Sequence, residues 1–117
     1  MGFLKTLFGQ GGTATPTSAV DVAGARMMQQ QKGARLIDVR EPREYAGGHA
    51  AGARNIPLGQ VGARLAEIPA DGPVLLICRS GSRSGQAQDI LQGQGRTNTY
   101  NVTGGTAAWQ AAGLPME

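Results

Sequence analysis

The sequence contains a single cysteine, Cys78, among its 117 residues. One cysteine cannot form an intramolecular disulfide, which excludes a disulfide-stapled extracellular domain and favours a reducing cytoplasm as the location. The chain also lacks a run of about eighteen apolar residues, so we expect no transmembrane helix. With 40% hydrophobic and 16% charged residues, the composition is typical of a soluble protein with one globular domain.

The chain has no basic stripe. Eleven Lys and Arg stand against eight Asp and Glu, and the basic residues are scattered apart from Arg79 and Arg83. Proteins that bind nucleic acid usually concentrate positive charge on one surface, so we expect no nucleic-acid partner. The small excess of positive charge favours small anions as ligands.

The first eighteen residues differ from the rest of the chain. Phe3, Leu4, Leu7 and Phe8 surround one lysine, and a stretch of Gly, Thr and Pro without periodicity follows them. We predict a flexible N-terminal arm and linker over residues 1–18 and a folded domain over residues 19–117. The apolar segment is too short to anchor the protein firmly, so membrane attachment is not expected.

From residue 18 onward, helix-like and strand-like segments alternate. Asp21 as N-cap and Gly33 as stop predict a first helix with Val20, Ala23 and Met27 on one side. We predict strands over residues 34–39, 53–58, 73–78 and 98–102. We predict further helices over residues 41–48, 61–68 and 104–113, and another that begins in the loop after Cys78 and ends near residues 93–95. The third strand, PVLLIC, is apolar without alternation, which indicates burial on both faces of a parallel sheet. The pattern predicts an open α/β sheet with helices on both faces.

Two of these helices are assigned by apolar spacing. Val61, Leu65 and Ile68 predict a helix that ends at Pro69. Ala87, Ile90 and Leu91 are expected to form the buried side of the helix after the cysteine loop.

Cys78 stands where the apolar strand ends and small or polar residues lead into that helix. A turn of this kind can direct backbone N–H groups and the positive end of the helix dipole at one point, which favours a thiolate. Free cysteine is often a small apolar core residue, but Arg79, Ser80, Gly81, Ser82 and Arg83 are poor core neighbours. We therefore predict that Cys78 is a nucleophile in an anion-binding loop, held by main-chain N–H groups and open to solvent.

Four stretches of the sequence resemble the rhodanese family, specifically its single-domain sulfurtransferases. They are LIDVREPREYAGGHAAGARNIPL, VLLICRSGSRS, TYNVTGGTAAW and AAGLP, which occur in this order between residues 36 and 115. The resemblance implies a rhodanese-like fold, in which helices flank an open, five-stranded parallel sheet on both faces. It also implies that no metal or organic cofactor is needed. We expect a monomer or a weak dimer.

The resemblance further implies a double displacement. Cys78 would take a sulfane sulfur from a small anion such as thiosulfate and pass it, as a persulfide, to cyanide or to a thiol on an unidentified acceptor. The six-residue loop Cys78 to Arg83 would bind the substrate, mainly through main-chain N–H groups. Phosphatases of related fold have a loop that is one residue longer, C-x-x-x-x-x-R. Here the sixth residue after Cys78 is Ser84, which favours a sulfur ligand over a phosphoryl group.

Other polar residues receive supporting roles. Asp38 either braces an arginine of the loop or of its own turn, or caps the turn that begins at Glu41. Arg40 either faces the substrate or is an exposed surface residue. His49, the only histidine, is expected to shape a turn away from Cys78, and Trp109 is expected to be a buried anchor of the last helix.

A non-enzymatic function remains as the alternative. In that hypothesis the loop binds an anion, or Cys78 becomes oxidised as a signal, and the protein acts as an adaptor or redox sensor. Exposed thiols of low pKa oxidise readily, so the chemistry is sound. Formation of a persulfide on Cys78 distinguishes the two hypotheses.

Overall fold

Five parallel strands form the centre of the structure, a computed structural model that describes residues 18–117. The strands are β1 (Ala19–Val20), β2 (Arg35–Asp38), β3 (Arg54–Asn55), β4 (Val74–Ile77) and β5 (Thr99–Val102). Their order across the sheet is β1-β5-β4-β2-β3. The predicted five-stranded parallel α/β fold is confirmed, although β1 had been assigned to the first helix. The predicted arm, apart from Ser18, lies outside the described residues.

Residues 18–117 also form four helices and two short 3-10 turns. The helices are α1 (Val22–Lys32), α2 (Pro42–Ala46), α3 (Ser82–Gly93) and α4 (Gly105–Ala111), and the 3-10 turns span Leu58–Gln60 and Leu65–Glu67. None of the helices within residues 18–117 combines the length and apolar character needed to cross a membrane.

Strand β4 lies at the centre of the sheet and is buried along its whole length. Its residues alternate between two cores, as a strand covered on both faces requires. Leu75 and Ile77 pack in the core that contains Trp109, whereas Val74, Leu76 and Cys78 pack in the core that contains Leu91. Because Asp38 of β2 pairs with Ile77, the carboxyl ends of both strands reach the same sheet edge, where Cys78 follows β4.

The ends of α1 follow the sequence signals. The Asp21 carboxylate accepts a hydrogen bond from the Gly24 N–H at 2.8 Å, and Gly33 ends the helix with φ 64°. The predicted buried side is wrong, because Met27 is 55% exposed and the fully buried residue is Ala25. The core face is therefore offset from the predicted Ala23 and Met27 side.

The predicted helix over 61–68 is also wrong. Val61 and Ile68 are buried as their spacing suggested, but the backbone there forms short 3-10 turns instead of an α-helix. Gly62 lowers the helix propensity of this segment. The strand predicted over 53–58 shrinks to Arg54–Asn55, since Pro57 has no N–H to donate to a sheet.

Helix α3 ends near the predicted position, but its buried face is different. Ala87 and Leu91 are fully buried, whereas Ile90 is 40% exposed. The inward face instead includes Ser84 and Gln88, both of which make hydrogen bonds inside the structure. Two polar residues thus occupy places that the apolar pattern had not assigned to the core.

The contrast between adjacent residues of α3 predicts opposite outcomes for alanine substitution. Leu91→Ala removes fully buried methyl groups and should lower the free energy of unfolding by about 2–5 kcal/mol. Ile90→Ala, the matched control, should cost clearly less, because Ile90 is partly exposed. Urea unfolding of both variants measures the difference, and equal losses would contradict this assignment of the buried face.

Candidate active site

Cys78 begins a loop that connects β4 to α3. The loop reaches the helix through Gly81, whose φ of 114° is a conformation that glycine adopts without strain. This turn brings the Gly81 N–H to 3.1 Å from the Cys78 Sγ atom. The Ser84 hydroxyl, on the first turn of α3, lies 3.3 Å from the same sulfur.

These hydrogen bonds control the ionisation of Cys78. Burial by itself would raise the pKa of the thiol. Hydrogen bonds from the Ser84 hydroxyl and from the main-chain N–H groups of Ser84, Gly81 and Ser80 outweigh burial, so the pKa of Cys78 lies below its ordinary value. The thiolate is the form that acts as a nucleophile.

The sulfur is not open to solvent, which corrects the sequence-based expectation. Cys78 is 1% exposed and packs on its inner side against the core that contains Leu91. Its other neighbours are the polar donors of the loop, so it is not enclosed by hydrocarbon alone. A reagent must therefore enter the loop to reach Sγ.

Residues at the start of α4 hold the cysteine loop by donating hydrogen bonds to the carbonyl groups of the loop. The Cys78 carbonyl accepts hydrogen bonds from the Thr106 N–H at 2.8 Å and the Thr106 hydroxyl at 2.9 Å. The Arg79 carbonyl accepts one from the Ala107 N–H at 3.1 Å. This clamp immobilises the first two peptide groups of the loop.

Close contact at the clamp requires glycine. A Cβ on Gly105 would lie 2.5 Å from the carbonyl carbon and oxygen of Arg79 and 2.6 Å from the oxygen of Cys78. Gly105 also has φ 59°, and Gly104 before it has φ 79°. The glycine pair thus adopts backbone angles that other residues rarely adopt.

Arg83, at the end of the loop, is paired with a carboxylate from another element. Its guanidinium donates two hydrogen bonds to Glu44 of α2, at 2.6 Å and 3.0 Å. The Arg83 hydrogen bond lowers the pKa of Glu44 to about 2, so this carboxylate remains charged. The positive charge of Arg83 is therefore largely compensated before any ligand binds.

Asp38 and Arg40 form a second compensated pair. The fully buried Asp38 carboxylate accepts hydrogen bonds from the Arg40 main-chain N–H and from its guanidinium, at 2.9–3.1 Å. Asp38 thus braces the arginine of its own turn, and Glu41 occupies the N-cap position of α2. Arg40 is 7% exposed, so it is not a surface arginine; it also donates to the Gly48 carbonyl.

Arg79 differs from Arg40 and Arg83, which both have carboxylate partners. It is exposed and makes no ion pair within residues 18–117. It lines a cavity of about 290 Å³ beside the loop, together with Arg40, Glu44, Thr106, Ala107 and Gln110. The side chains of Ser80 and Ser82 are exposed on the loop.

A larger cavity of about 520 Å³ lies elsewhere, and none of its lining residues is a cysteine, serine or histidine. The residues that line it are Arg26, Gln29, Gln30, Gly33, Ala34, Arg35, Leu36, Ala51, Gly52 and Glu117. Residues from Gly33 to Leu36 lead into and begin β2, so this cavity is at the opposite sheet edge from Cys78. The smaller cavity lies beside the cysteine loop, which contributes Arg79 to its lining.

The structure keeps two of the considered residues away from the sulfur. The His49 ring stacks on Tyr45 at 3.7 Å, and its Nδ1 lies 3.0 Å from the Tyr45 carbonyl. Trp109 is fully buried and donates its indole N–H to the Pro115 carbonyl at 2.8 Å. These contacts agree with the turn and anchor roles expected from the sequence.

Sequence reasoning missed several contributors. The loop prediction places Ser84 one position beyond the substrate loop, although its position on the first turn of the helix indicates a possible donor to the sulfur. Glu44 gave no sign of its partner, because 39 residues separate it from Arg83. Thr106 follows the glycine pair, and its contact with the Cys78 carbonyl depends on how α4 packs.

Gly105→Ala should disturb the loop, because the new Cβ would overlap two carbonyl groups of the clamp. We expect the pKa of Cys78 to rise as its donors move away, and the rate of alkylation at neutral pH to fall severalfold. Iodoacetamide kinetics across pH measure this. Gly95→Ala is the matched control: Gly95 also has positive φ, but a Cβ added there would meet no atom within 4 Å, so alkylation should not change.

Glu44→Gln should lower stability at neutral pH by up to about 1 kcal/mol, because it breaks the ion pair with Arg83. The pKa of Glu44 is about 2 in the folded protein and near 4.5 ordinarily. The contribution is therefore complete above pH 4.5 and is lost as the pH falls toward 2. Thermal unfolding across this range should show the two proteins converging in acid, and Asp71→Asn, an exposed carboxylate, is the control.

Comparison with known proteins places this geometry in context. A family model described as a rhodanese-like domain matches residues 21–112. The YqhL protein of Bacillus subtilis (strain 168) is 53% identical over 76 residues, which cover 65% of this chain and 60% of that protein. The thiosulfate sulfurtransferase GlpE of Vibrio cholerae is 36% identical over 98 residues, which cover 84% of this chain and 92% of that enzyme.

A solved structure also resembles the fold. The crystal structure of a rhodanese-related protein from Thermoplasma volcanium matches with a TM-score of 0.77 and 29% sequence identity. The match covers 86% of this chain and 97% of that chain. The two chains therefore share their architecture over nearly the whole described domain.

Proposed function

Because the chain belongs to the rhodanese-like domain family, we propose that it is a sulfurtransferase that carries a sulfane sulfur on Cys78. One observation carries the proposal: a thiol of lowered pKa receives hydrogen bonds from the Gly81 N–H and the Ser84 hydroxyl at the end of the central strand. The name of the Vibrio cholerae relative, a thiosulfate sulfurtransferase, supports this class of reaction.

Thiosulfate is the proposed model donor. The Cys78 thiolate attacks the outer sulfur of thiosulfate, the sulfur–sulfur bond of the donor breaks, and sulfite leaves with the electron pair. Cys78 then carries a persulfide whose negative charge is on the terminal sulfur. No proton or external oxidant is needed, because the thiolate and thiosulfate together have the charge of the persulfide and sulfite.

The second half-reaction returns the enzyme to its starting state. An acceptor thiolate or cyanide attacks the terminal sulfur, and the Cys78 thiolate leaves with the electron pair. Cyanide yields thiocyanate, and a thiol of a small molecule or protein yields a new persulfide. The physiological acceptor belongs to the thiol class in this proposal.

The charge distribution around the loop suits an anionic donor. Arg83 and Arg40 are compensated by Glu44 and Asp38, whereas Arg79 faces the cavity without an ion-pair partner in residues 18–117. The N-terminus of α3 adds its positive dipole end at the loop. We assign Arg79 the recognition of the outer oxygens of the donor, and the loop N–H groups the stabilisation of charge on sulfur.

Mass spectrometry of the intact protein tests the proposal directly. After exposure to thiosulfate and other sulfane donors, the wild type should gain the mass of one sulfur, and cyanide should remove it as thiocyanate. Cys78→Ser should gain nothing, because the chain has no other cysteine. Ile90→Ala, at a partly exposed site on α3, is the control for general effects of substitution.

A wild-type protein that takes up no sulfur from any donor would overturn the proposal. The adaptor or redox-sensor hypothesis would then gain support if hydrogen peroxide oxidised Cys78 reversibly.

A further inference from the structure

Ser84 has one hydroxyl hydrogen and two acceptors within reach. Its Oγ lies 3.3 Å from the Cys78 sulfur and 2.6 Å from Asn101 Oδ1, and Ser84 is fully buried. A hydroxyl donates a single hydrogen bond, so Ser84 cannot serve both acceptors at once. Its hydrogen must go to whichever acceptor attracts it more strongly.

Asn101 is held in the orientation that presents its oxygen to Ser84. Its amide Nδ2 donates to the Gly81 carbonyl at 3.1 Å, so the other side of the amide, Oδ1, faces the hydroxyl. Gly81 in turn donates its own N–H to the sulfur. Asn101 on β5 therefore connects two groups that contact Sγ.

The charge on Sγ changes during the proposed reaction. In the free enzyme the thiolate carries a full negative charge on Sγ, and a charged acceptor forms the stronger hydrogen bond. In the persulfide the charge moves to the terminal sulfur, and Sγ becomes a neutral atom with little power to accept. The neutral oxygen of Asn101 is then the better acceptor for Ser84.

We propose that Ser84 is a catalytic residue of sulfur delivery, donating its hydrogen to Asn101 in the persulfide and to Sγ as Cys78 leaves. This inference rests on the proposed function. A donor placed under Sγ stabilises the thiolate as a leaving group in the second half-reaction. The same donor makes the thiolate a weaker nucleophile, so it does not accelerate the first half-reaction once Cys78 is ionised.

The two half-reactions should therefore respond differently to Ser84→Ala. The variant loses a hydrogen bond to a charged sulfur atom, and about half of that bond's free energy should appear in the barrier of the leaving-group step. We therefore expect the transfer of sulfur from the persulfide to cyanide to be about threefold to tenfold slower. Formation of the persulfide, measured at a pH where Cys78 is ionised in both proteins, should not slow. Iodoacetamide alkylation should shift to higher pH in the variant, because the thiolate loses a donor.

Rapid mixing separates the steps. The protein is loaded with thiosulfate, freed of donor and mixed with cyanide, while persulfide absorbance is followed; loading is followed in a separate experiment. Thr99→Val is the matched control, because Thr99 is a buried residue at the other end of β5 whose hydroxyl finds no partner within residues 18–117. Both half-reactions of Thr99→Val should proceed at the wild-type rates. Ser84→Thr keeps the hydroxyl and should return discharge toward the wild-type rate.

The outcomes are distinct. Selective slowing of discharge in Ser84→Ala, together with the alkylation shift, supports the inference. Equal slowing of both half-reactions, or no change in either, overturns it while leaving the proposed function standing. If the wild type acquires no sulfur from any donor, the proposed function fails and this role of Ser84 fails with it.

Discussion

Hydrogen bonds from α4 to the carbonyls of Cys78 and Arg79 are the constraint on which the site depends. A loop of small and polar residues has many conformations, and its N–H groups are useful only if they point at one atom. The clamp fixes the first two peptide groups, and the close approach of Gly105 makes the clamp possible. Stabilisation of the thiolate is thus built by an element almost thirty residues further along the chain.

The second constraint is the placement of charge. Two arginines of this region already have buried or partly buried carboxylate partners: Asp38 braces Arg40 within the turn after β2, and Glu44 of α2 pairs with Arg83. Arg40 contributes to the fold around the cavity, and Arg83 connects the loop to α2. Of the two arginines that line the cavity, Arg40 is paired with Asp38, and Arg79 has no carboxylate partner among residues 18–117. Hydrogen bonds to the sulfur are therefore the main stabilisation of the Cys78 thiolate.

Much of the fold could be predicted because it depends on local patterns. The apolar run of β4 needs burial on both faces, and Asp21 and Gly33 limit α1 through their own backbone and side-chain geometry. The errors occurred where burial depends on neighbours in space. Ile90 and Leu91 are equally apolar, but only Leu91 faces the sheet, and Val61 and Ile68 are buried without the helix that their spacing suggested.

The sequence by itself determined the parallel α/β order, the position of the cysteine at the end of a buried strand, and the small and polar character of the loop that follows it. These properties follow from residue type and from neighbours within a few positions. Only the tertiary structure decided that Cys78 is enclosed by its donors, that Glu44 compensates Arg83, and that Ser84 lies between the sulfur and Asn101. Those contacts join residues up to 39 positions apart, and hydrogen bonds act over about 3 Å, a distance that chain spacing cannot specify.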